Sequence, residues 1–184
     1  MSKPESLHRG RFVELVKDGR WEFVRRVNAR GAVFVLAVTD AGELVLVEQY
    51  RVPVQARTLE LPAGIYGDED SHEAETPEAC ALRELEEETG FRGARARLLV
   101  TGPVAPGLTT EIMYLVRVEG LQRVHDGGGV GGEDITVHTV PLDRAQAWLE
   151  EKRRAGLQVE PRIYAGLYFL IDLGQGIPET ARAG

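Results

Sequence analysis

Residues 81–91 read ALRELEEETGF, and four of the five positions from 84 to 88 are glutamate. At 100° per residue in a helix, Glu84, Glu87 and Glu88 fall within about 100° of one another, and the apolar residues of the segment lie on the other side. Carboxylates at helical spacings of three and four repel one another by a few tenths of a kcal/mol per pair. We therefore expect one face to pack and a positive partner to compensate the other, although a solvated acidic face is the simpler alternative.

Strands are predicted on both sides of this helix, and two more helices follow them. The acidic helix itself begins at Thr76-Pro77, an N-cap hydroxyl followed by proline at the first helical position, and it ends at Gly90. Runs rich in Val, Phe and Tyr predict strands at 11–16, 20–27, 32–40, 43–52, 96–104, 111–120 and 134–142. The later helices are expected over about 142–155 and from Pro161 onward. This order predicts an α+β fold with a mixed β-sheet between α-helices and an additional antiparallel β-sheet region at the N-terminus.

Length and composition indicate one globular domain. The chain has 184 residues, of which 43% are hydrophobic and 28% charged, as in an ordinary globular protein with one sizeable core. We expect residues 1–184 to form a single domain with a frayed tail at 174–184. Cys80 is the single cysteine, and no run approaches 18 apolar residues. These features predict a cytoplasmic protein without an intramolecular disulfide or a membrane partner.

The net charge of −7 is concentrated in one part of the chain. Residues 68–88 hold ten acids against one base, Arg83, which gives this window −9 and leaves about +2 for the rest, from 21 bases and 19 acids. A local negative pocket attracts cations rather than nucleic acid. We therefore expect a metal ion in this region and no nucleic-acid partner.

The acidic helix resembles the signature of the Nudix hydrolases. That signature reads Gly, five residues, Glu, seven residues, then Arg-Glu-apolar-x-Glu-Glu-x-Gly-apolar, and Glu75 with residues 83–91 matches it position by position. Glu69 stands where the signature has its glycine, and the nearest suitable glycine is Gly64. The loop 65–75 is therefore interpreted as lengthened by five residues. The resemblance implies a Nudix-type fold and metal-dependent cleavage of a pyrophosphate bond.

By this resemblance the acidic face binds Mg²⁺, with Mn²⁺ as the alternative. Mg²⁺ prefers oxygen ligands in near-octahedral geometry, usually a few carboxylates, waters and substrate phosphates. Glu84 and Glu88 are expected to be the main ligands, and Glu87 and the backbone carbonyl of Ala63 are expected to share the ion. Arg83 resembles the arginine that pairs with a glutamate of the signature. A metal held there would neutralise the diphosphate and activate a water for attack on phosphorus.

Other segments resemble the branch of the family that cleaves ADP-ribose and nucleoside diphosphate sugars. They are VEQYR (47–51), LELPAG (59–64), APGLTTE (105–111) and EDITVHTVPLDRAQAWLEE (133–151). The resemblance implies that Arg51, Glu60 and Glu111 contact the substrate or border the metal site, and that Trp21 stacks on the nucleobase. The structural alternatives to these roles are a surface strand residue for the arginine, a strand edge for each glutamate and the core for the tryptophan. ADP-ribose, cleaved to AMP and ribose 5-phosphate, is the first substrate expected, and GDP-mannose and ADP-glucose are the alternatives.

The general base is expected on the glycine-rich loop at 125–134. In the branch that the chain resembles, a glutamate on this loop completes the site as general base or as an additional metal ligand, and Glu133 is the matching residue, with Asp134 beside it. Glu133, Glu87 and Arg83 thus form the expected catalytic group, and Glu111 is the second candidate for the base. A solvated turn without a catalytic role is the alternative for the loop.

The same resemblance implies a homodimer in which the N-terminal strands, at about 9–27, help to build the partner's nucleotide site. Three alternative functions would each require a different sequence feature. A non-catalytic sensor of nucleotide sugars would show eroded acids or an attached DNA-binding domain. An RNA-processing enzyme would need a basic strip, and an isomerase would need a reactive cysteine in the pocket, for which Cys80 is poorly placed.

Overall fold

The structure is a computed structural model that describes residues 4–67, 75–129, 132 and 134–172. The helices of this part are α1 (Pro77–Thr89), α2 (Ala145–Arg154) and α3 (Arg162–Asp172). The strands are β1 (Glu5–Arg9), β2 (Val13–Asp18), β3 (Trp21–Arg26), β4 (Gly31–Ala37), β5 (Glu43–Arg51), β6 (Ala56–Glu60), β7 (Ala63–Tyr66), β8 (Phe91–Arg92), β9 (Arg95–Pro103), β10 (Ile112–Glu119), β11 (Gln122–Arg123), β12 (Thr136–Pro141) and β13 (Gln158–Val159). The tail expected at 174–184 lies outside the described residues.

Helix α1 forms where the local signals predict it. The Thr76 hydroxyl accepts a hydrogen bond from the N–H of Ala79 at 3.2 Å, and Pro77 is the first helical residue. Gly90 ends the helix with φ of +74°, a left-handed conformation that glycine adopts without steric cost. Leu85, on the apolar side of the helix, is fully buried. The predicted acidic helix is therefore confirmed, together with its packed face.

Two mixed four-stranded sheets form the centre of the fold. Their strand orders are β7-β4-β10-β9 and β12-β5-β6-β13. In the first sheet β4 and β10 are parallel, and in the second β6 and β13 are parallel, whereas the other neighbours are antiparallel. A turn at 39–42 leads from β4 to β5, and the N–H of Gly42 donates to the carbonyl of Thr39 at 2.9 Å.

Both faces of β4 are buried, which explains its continuous apolar sequence. Leu36 and its neighbours on one face belong to a core with α2 and α3, which contribute Leu149 and Leu167. Val33 and Val35 on the other face belong to a core with α1. The prediction of an α+β fold with a mixed sheet between helices is confirmed.

A separate antiparallel sheet, β1-β2-β3, lies at the N-terminal end. It docks onto the loop before β10, because the N–H of Val24 donates to the carbonyl of Leu108 at 2.8 Å and the N–H of Thr110 donates to Val24 at 3.1 Å. Several large apolar side chains of this region are exposed, among them Phe12 at 67% and Trp21 at 54%. The N-terminal antiparallel sheet is thus also confirmed, and its edge that meets residues 108–110 connects it to the rest of the molecule.

Several strands were not predicted. Strand β6 reads ARTLE and β7 reads AGIY, and Pro62 lies between them, so neither shows a run of alternating apolar residues. Strand β1 reads ESLHR and is exposed along its whole length. In the part of the chain that the structure describes, no helix has the length and apolar character needed to cross a membrane.

Candidate functional site

A cavity of about 780 Å³ lies between α1, the β5–β6 hairpin and the beginning of α3. Its lining includes eight of the ten residues predicted for the site, namely Arg51, Glu60, Ala63, Arg83, Glu84, Glu87, Glu88 and Glu111. Other polar and aromatic residues that line it are Arg26, Phe34, Gln49, Thr58, Glu160 and Arg162. The fold therefore brings together residues that lie up to 136 positions apart in the sequence.

Arg83 supplies the positive charge that the acidic face of α1 requires. One Nη nitrogen donates to the carboxylates of Glu84 at 2.8 Å and Glu87 at 3.2 Å, and Nε donates to Glu75 at 3.2 Å. Burial would lower the pKa of Arg83, but the hydrogen bonds and charges of its glutamate partners outweigh burial and raise that pKa. The guanidinium therefore stays charged and fixes the carboxylates beside it.

Strand β7 contacts the acidic face of α1 through Ala63 and Gly64. The Glu88 carboxylate is nearly buried, at 6% exposure of the residue, and accepts a hydrogen bond from the N–H of Ala63 at 3.0 Å. A Cβ atom at Gly64 would lie 1.8 Å from the carboxyl carbon of Glu84. A side chain at position 64 would therefore require the Glu84 carboxylate to move, so the LELPAG segment and α1 are matched to one another at this point.

Three arginine–glutamate pairs line the rest of the cavity. They are Arg26–Glu111, Arg51–Glu60 and Arg162–Glu160. The Arg51 pair is bidentate, because Nε and an Nη nitrogen donate to the two oxygens of Glu60 at 2.8 and 2.6 Å. The cavity thus has an acidic wall on α1 and a wall of paired charges facing it, which is suited to an anionic substrate that brings its own cation.

Glu60, which is buried, and Glu160, which is partly buried, differ in their electrostatics. Burial would raise the pKa of Glu60, but hydrogen bonds from Arg51 and Thr58 outweigh it and hold that pKa below its ordinary value of 4.5. For Glu160 burial prevails over the attraction of Arg162, and the nearby charge of Glu60 adds to it, so the pKa is raised. Glu60 is therefore firmly ionised at neutral pH, and Glu160 holds its charge less tightly.

The donor set fits a magnesium ion that substrate phosphates help to hold. Among the residues that the structure describes, no group of three or more His, Cys, Asp or Glu side chains forms a ready-made metal site. Mg²⁺ does not require one, since one or two carboxylates, several waters and substrate phosphates normally complete its octahedron. Glu84, Glu87 and Glu88 all contribute to the cavity lining. Their carboxylates can serve as the protein's share of the ligands.

Of the described residues predicted for the site, Trp21 is not in the lining of this cavity. Trp21 lines a neighbouring pocket of about 520 Å³ together with Asp18, Phe23 and residues of the 106–110 loop. Thr110 of that pocket directly precedes Glu111 of the cavity, so the two depressions adjoin along the chain. Glu133 lies outside the described residues.

Asp134, the other acid considered on the glycine-rich loop, is 80% exposed in its side chain and pairs with Arg57 at 2.9 Å. Glu111, the second candidate for the base, accepts a hydrogen bond from Nε of Arg26. These contacts leave the assignment of the general base a prediction.

Phe34, Glu160 and Arg162 were missed by sequence reasoning. Phe34 lies in a continuous apolar run and was interpreted as part of a strand, whereas Glu160 and Arg162 flank Pro161, the residue that precedes α3. The two-residue strand β13 pairs with β6 and brings Glu160 beside the cavity. No local sequence pattern predicts such a short parallel pairing, so these residues could not be assigned to the site from the sequence.

Comparisons with known proteins match the chain to one family model and to several relatives. The family model described as NUDIX domain matches residues 28–158. The methanol dehydrogenase activator of Bacillus methanolicus is 34% identical over 158 residues, which is 82% of this chain and 83% of that protein. The ADP-ribose pyrophosphatase of Bacillus subtilis (strain 168) is 34% identical over 127 residues, 68% of this chain and 66% of that protein.

Two further likenesses extend over most of the chain. The GDP-mannose pyrophosphatase of Yersinia pestis (strain Pestoides F) is 33% identical over 157 residues, 79% of this chain and 76% of that protein. A crystal structure of an ADP compounds hydrolase superposes with a TM-score of 0.71 at 25% identity, and the match covers 96% of this chain and 97% of the other.

Proposed function

The chain belongs to the NUDIX domain family, and on that premise we propose that it hydrolyses the pyrophosphate bond of ADP-ribose or a related nucleoside diphosphate sugar. The products are a nucleoside monophosphate and a sugar phosphate. The observation that carries the proposal is the cavity in which Glu84, Glu87 and Glu88 face three arginine–glutamate pairs. The names of the relatives in Bacillus subtilis and Yersinia pestis support the substrate class.

We assign the metal ligands to the acidic face of α1, with Mg²⁺ as the metal and Mn²⁺ as the alternative. Glu84 and Glu88 are the main ligands, and Glu87 and the carbonyl of Ala63 complete the protein's share. When bound, a divalent ion neutralises charge on the diphosphate and activates the water that attacks phosphorus. Arg83 is a positioning residue that orients Glu84 and Glu87 through its hydrogen bonds at 2.8 and 3.2 Å.

The remaining residues bind and orient the substrate. Arg51, fixed by its bidentate contact with Glu60, binds a phosphate or the sugar, because a planar guanidinium matches such oxygens. Glu111 lies where the cavity meets the pocket of Trp21. Glu133 is our first choice for the base that removes the proton from the attacking water, and Glu111 is the second.

Trp21 binds the nucleobase in this proposal. Its ring is 54% exposed and lines the pocket that adjoins the cavity, and aromatic rings stack favourably on bases. We further propose a homodimer formed through the N-terminal strands at about 9–27, where Val13 is 46% and Leu15 is 38% exposed. Burial of these side chains against a second copy would remove apolar surface from water.

The cytoplasm is the proposed compartment, because the buried free thiol of Cys80 suits a reducing environment. No nucleic-acid partner is proposed, because the charge of the chain is −7 and is concentrated in the acidic window. ADP-ribose is the first substrate. GDP-mannose is the second candidate, since the Yersinia relative named for it covers more of this chain than the Bacillus ADP-ribose pyrophosphatase does.

One experiment tests the proposal. Purified protein is incubated with ADP-ribose, GDP-mannose, ADP-glucose and other nucleoside diphosphate derivatives in Mg²⁺ or Mn²⁺, and released mononucleotide is measured by chromatography. We expect release that depends on the metal and falls by about 100-fold or more in Glu88→Gln, with Glu150→Gln on the exposed face of α2 as the matched control. Absence of mononucleotide from the whole panel, or full activity of Glu88→Gln, would refute the proposal.

A further inference from the structure

The third arginine–glutamate pair lies at the beginning of α3, on residues outside the 28–158 region that matches the family model. The N–H of Glu160 donates to the carbonyl of Leu59 at 2.9 Å, and Val159 pairs with Leu59 in the β6–β13 ladder. This pairing holds Glu160 next to Glu60 at the cavity wall. The family signature on α1 does not prescribe this pair, so its role is a question specific to this chain.

Arg162 is held from two directions. Its guanidinium carbon lies 4.0 Å from the centre of the Phe34 ring, and its Nε donates to one oxygen of Glu160. The contact with the ring and the hydrogen bond to the carboxylate both restrict the movement of the guanidinium. The Nε contact uses one of the five N–H donors of the group. The pair therefore presents a rigid set of donors rather than a mobile charge.

The other oxygen of Glu160 lacks a partner. In the described part of the chain, Oε2 of Glu160 is buried and accepts no hydrogen bond. Glu60 differs, because its oxygens accept from Arg51 and from the hydroxyl of Thr58. A buried acceptor without a donor is costly, and a ligand hydroxyl that supplied the donor would relieve that cost.

The two ends of the substrate are already assigned in the proposed function, on which this inference rests. The diphosphate is assigned to the acidic face of α1, and the nucleobase is assigned to the pocket of Trp21, which adjoins the cavity at Thr110 and Glu111. The part of the cavity lining to which no role is assigned includes Glu160, Arg162 and Phe34. A sugar phosphate would fill this part, and its hydroxyls offer both donors and acceptors.

We propose that Glu160 and Arg162 form the recognition site for the hydroxyl groups of the sugar, in which the Glu160 carboxylate accepts from a hydroxyl and the Arg162 guanidinium donates to a second oxygen. These residues determine specificity and take no part in bond cleavage. A substrate that carries the diphosphate but no sugar therefore does not depend on them.

The test compares two substrates in two variants. Arg162→Met keeps an apolar stem over Phe34 and removes the donors, and Glu160→Gln keeps the shape and changes the hydrogen-bonding character. Arg153→Met, from an exposed arginine–glutamate pair on α2, is the matched control. Steady-state kinetics are measured with ADP-ribose and with the methyl ester of ADP, and inhibition constants are measured for ribose 5-phosphate and AMP. Circular dichroism and thermal unfolding establish that each variant is folded.

We expect KM for ADP-ribose and the inhibition constant of ribose 5-phosphate to rise by about 10- to 100-fold in each cavity variant, as for loss of a hydrogen bond to a charged group. KM for the methyl ester and the inhibition constant of AMP should change by less than about twofold. An equal rise in KM for both substrates, or no rise for either, would overturn this assignment while leaving the proposed function intact. If the wild-type protein cleaves neither substrate, the proposed function fails and this assignment fails with it.

Discussion

Replacement of Gly64 by alanine should displace the carboxylate of Glu84 without removing it. The added methyl carbon would lie 1.8 Å from the carboxyl carbon and 2.0 Å from Oε1 of Glu84. An ordinary contact between carbon atoms is about 3.5 Å. The carboxyl group must therefore retreat by about 1.7 Å, or strand β7 must move away from α1 by a similar distance.

The two consequences of this displacement differ in size. A shift of about 1 Å in a group that acts directly on the reaction costs on the order of 100-fold in rate, so we expect kcat to fall by at least about 100-fold. Overpacking of a partly buried site costs about 1–3 kcal/mol. For a chain of this length that corresponds to a loss of roughly 2–12 °C in Tm, which leaves the protein folded at 25 °C.

The assay combines mononucleotide release with thermal unfolding. Gly102→Ala is the matched control, because Gly102 also lies in a strand, and a Cβ there meets no atom within 4 Å. We expect Gly102→Ala to retain wild-type kcat. A folded Gly64→Ala variant with kcat within about threefold of wild type would refute the view that the position of the Glu84 carboxylate matters for catalysis.

Three further predictions concern the base pocket, an ion pair and the thiol. Trp21→Ala should raise KM by about 5- to 100-fold, as for loss of a stacked base, and leave kcat nearly unchanged. Tyr168→Ala, at an exposed aromatic of α3 that lines neither pocket, should change neither KM nor kcat, and an equal fall in kcat and kcat/KM in Trp21→Ala would contradict a binding role. The pKa of Glu60 is depressed, because hydrogen bonds from Arg51 and Thr58 outweigh burial. The ionised form of Glu60 therefore stabilises the folded state at pH values above 4.5, the ordinary pKa of the group. That stabilisation is lost as the pH falls through the lower pKa of the folded state. In urea unfolding, the difference in the free energy of unfolding between wild type and Glu60→Gln should narrow as the solution is acidified below about pH 4. A difference that is independent of pH would exclude this linkage. Burial raises the pKa of Cys80 to about 12, so Ellman's reagent should modify this thiol only after unfolding, since the thiolate is the nucleophile; rapid labelling of the native protein would show that the site is open.

Features encoded by neighbouring residues were predictable from the sequence. Thr76, Pro77 and Gly90 set the ends of α1, and the spacing of three and four put Glu84, Glu87 and Arg83 within reach of one another. The fold class followed from the order of the predicted elements. The resemblance of the signature then identified the wall of the cavity that α1 provides.

Features that depend on distant contacts were not predictable. Strand β6 reads ARTLE, in which Thr58 and Glu60 line the cavity, and these polar residues interrupt the apolar pattern that predicts a strand. Glu160 and Arg162 reach the site through two residues of β13 that pair with β6 across about 100 positions. Such pairing depends on packing of the whole chain rather than on local preference, so the Arg162 contact with Phe34 could be found only in the folded structure.

The central claim is that the acidic face of α1 gathers divalent ions beside a diphosphate. The most direct measurement is anomalous scattering from crystals grown with Mn²⁺ and a non-hydrolysable analogue of ADP-ribose. We predict a manganese peak in contact with the carboxylates of Glu84 and Glu88 and with the diphosphate of the analogue. A bound analogue with no metal at these carboxylates, or with its only manganese elsewhere in the molecule, would contradict the account.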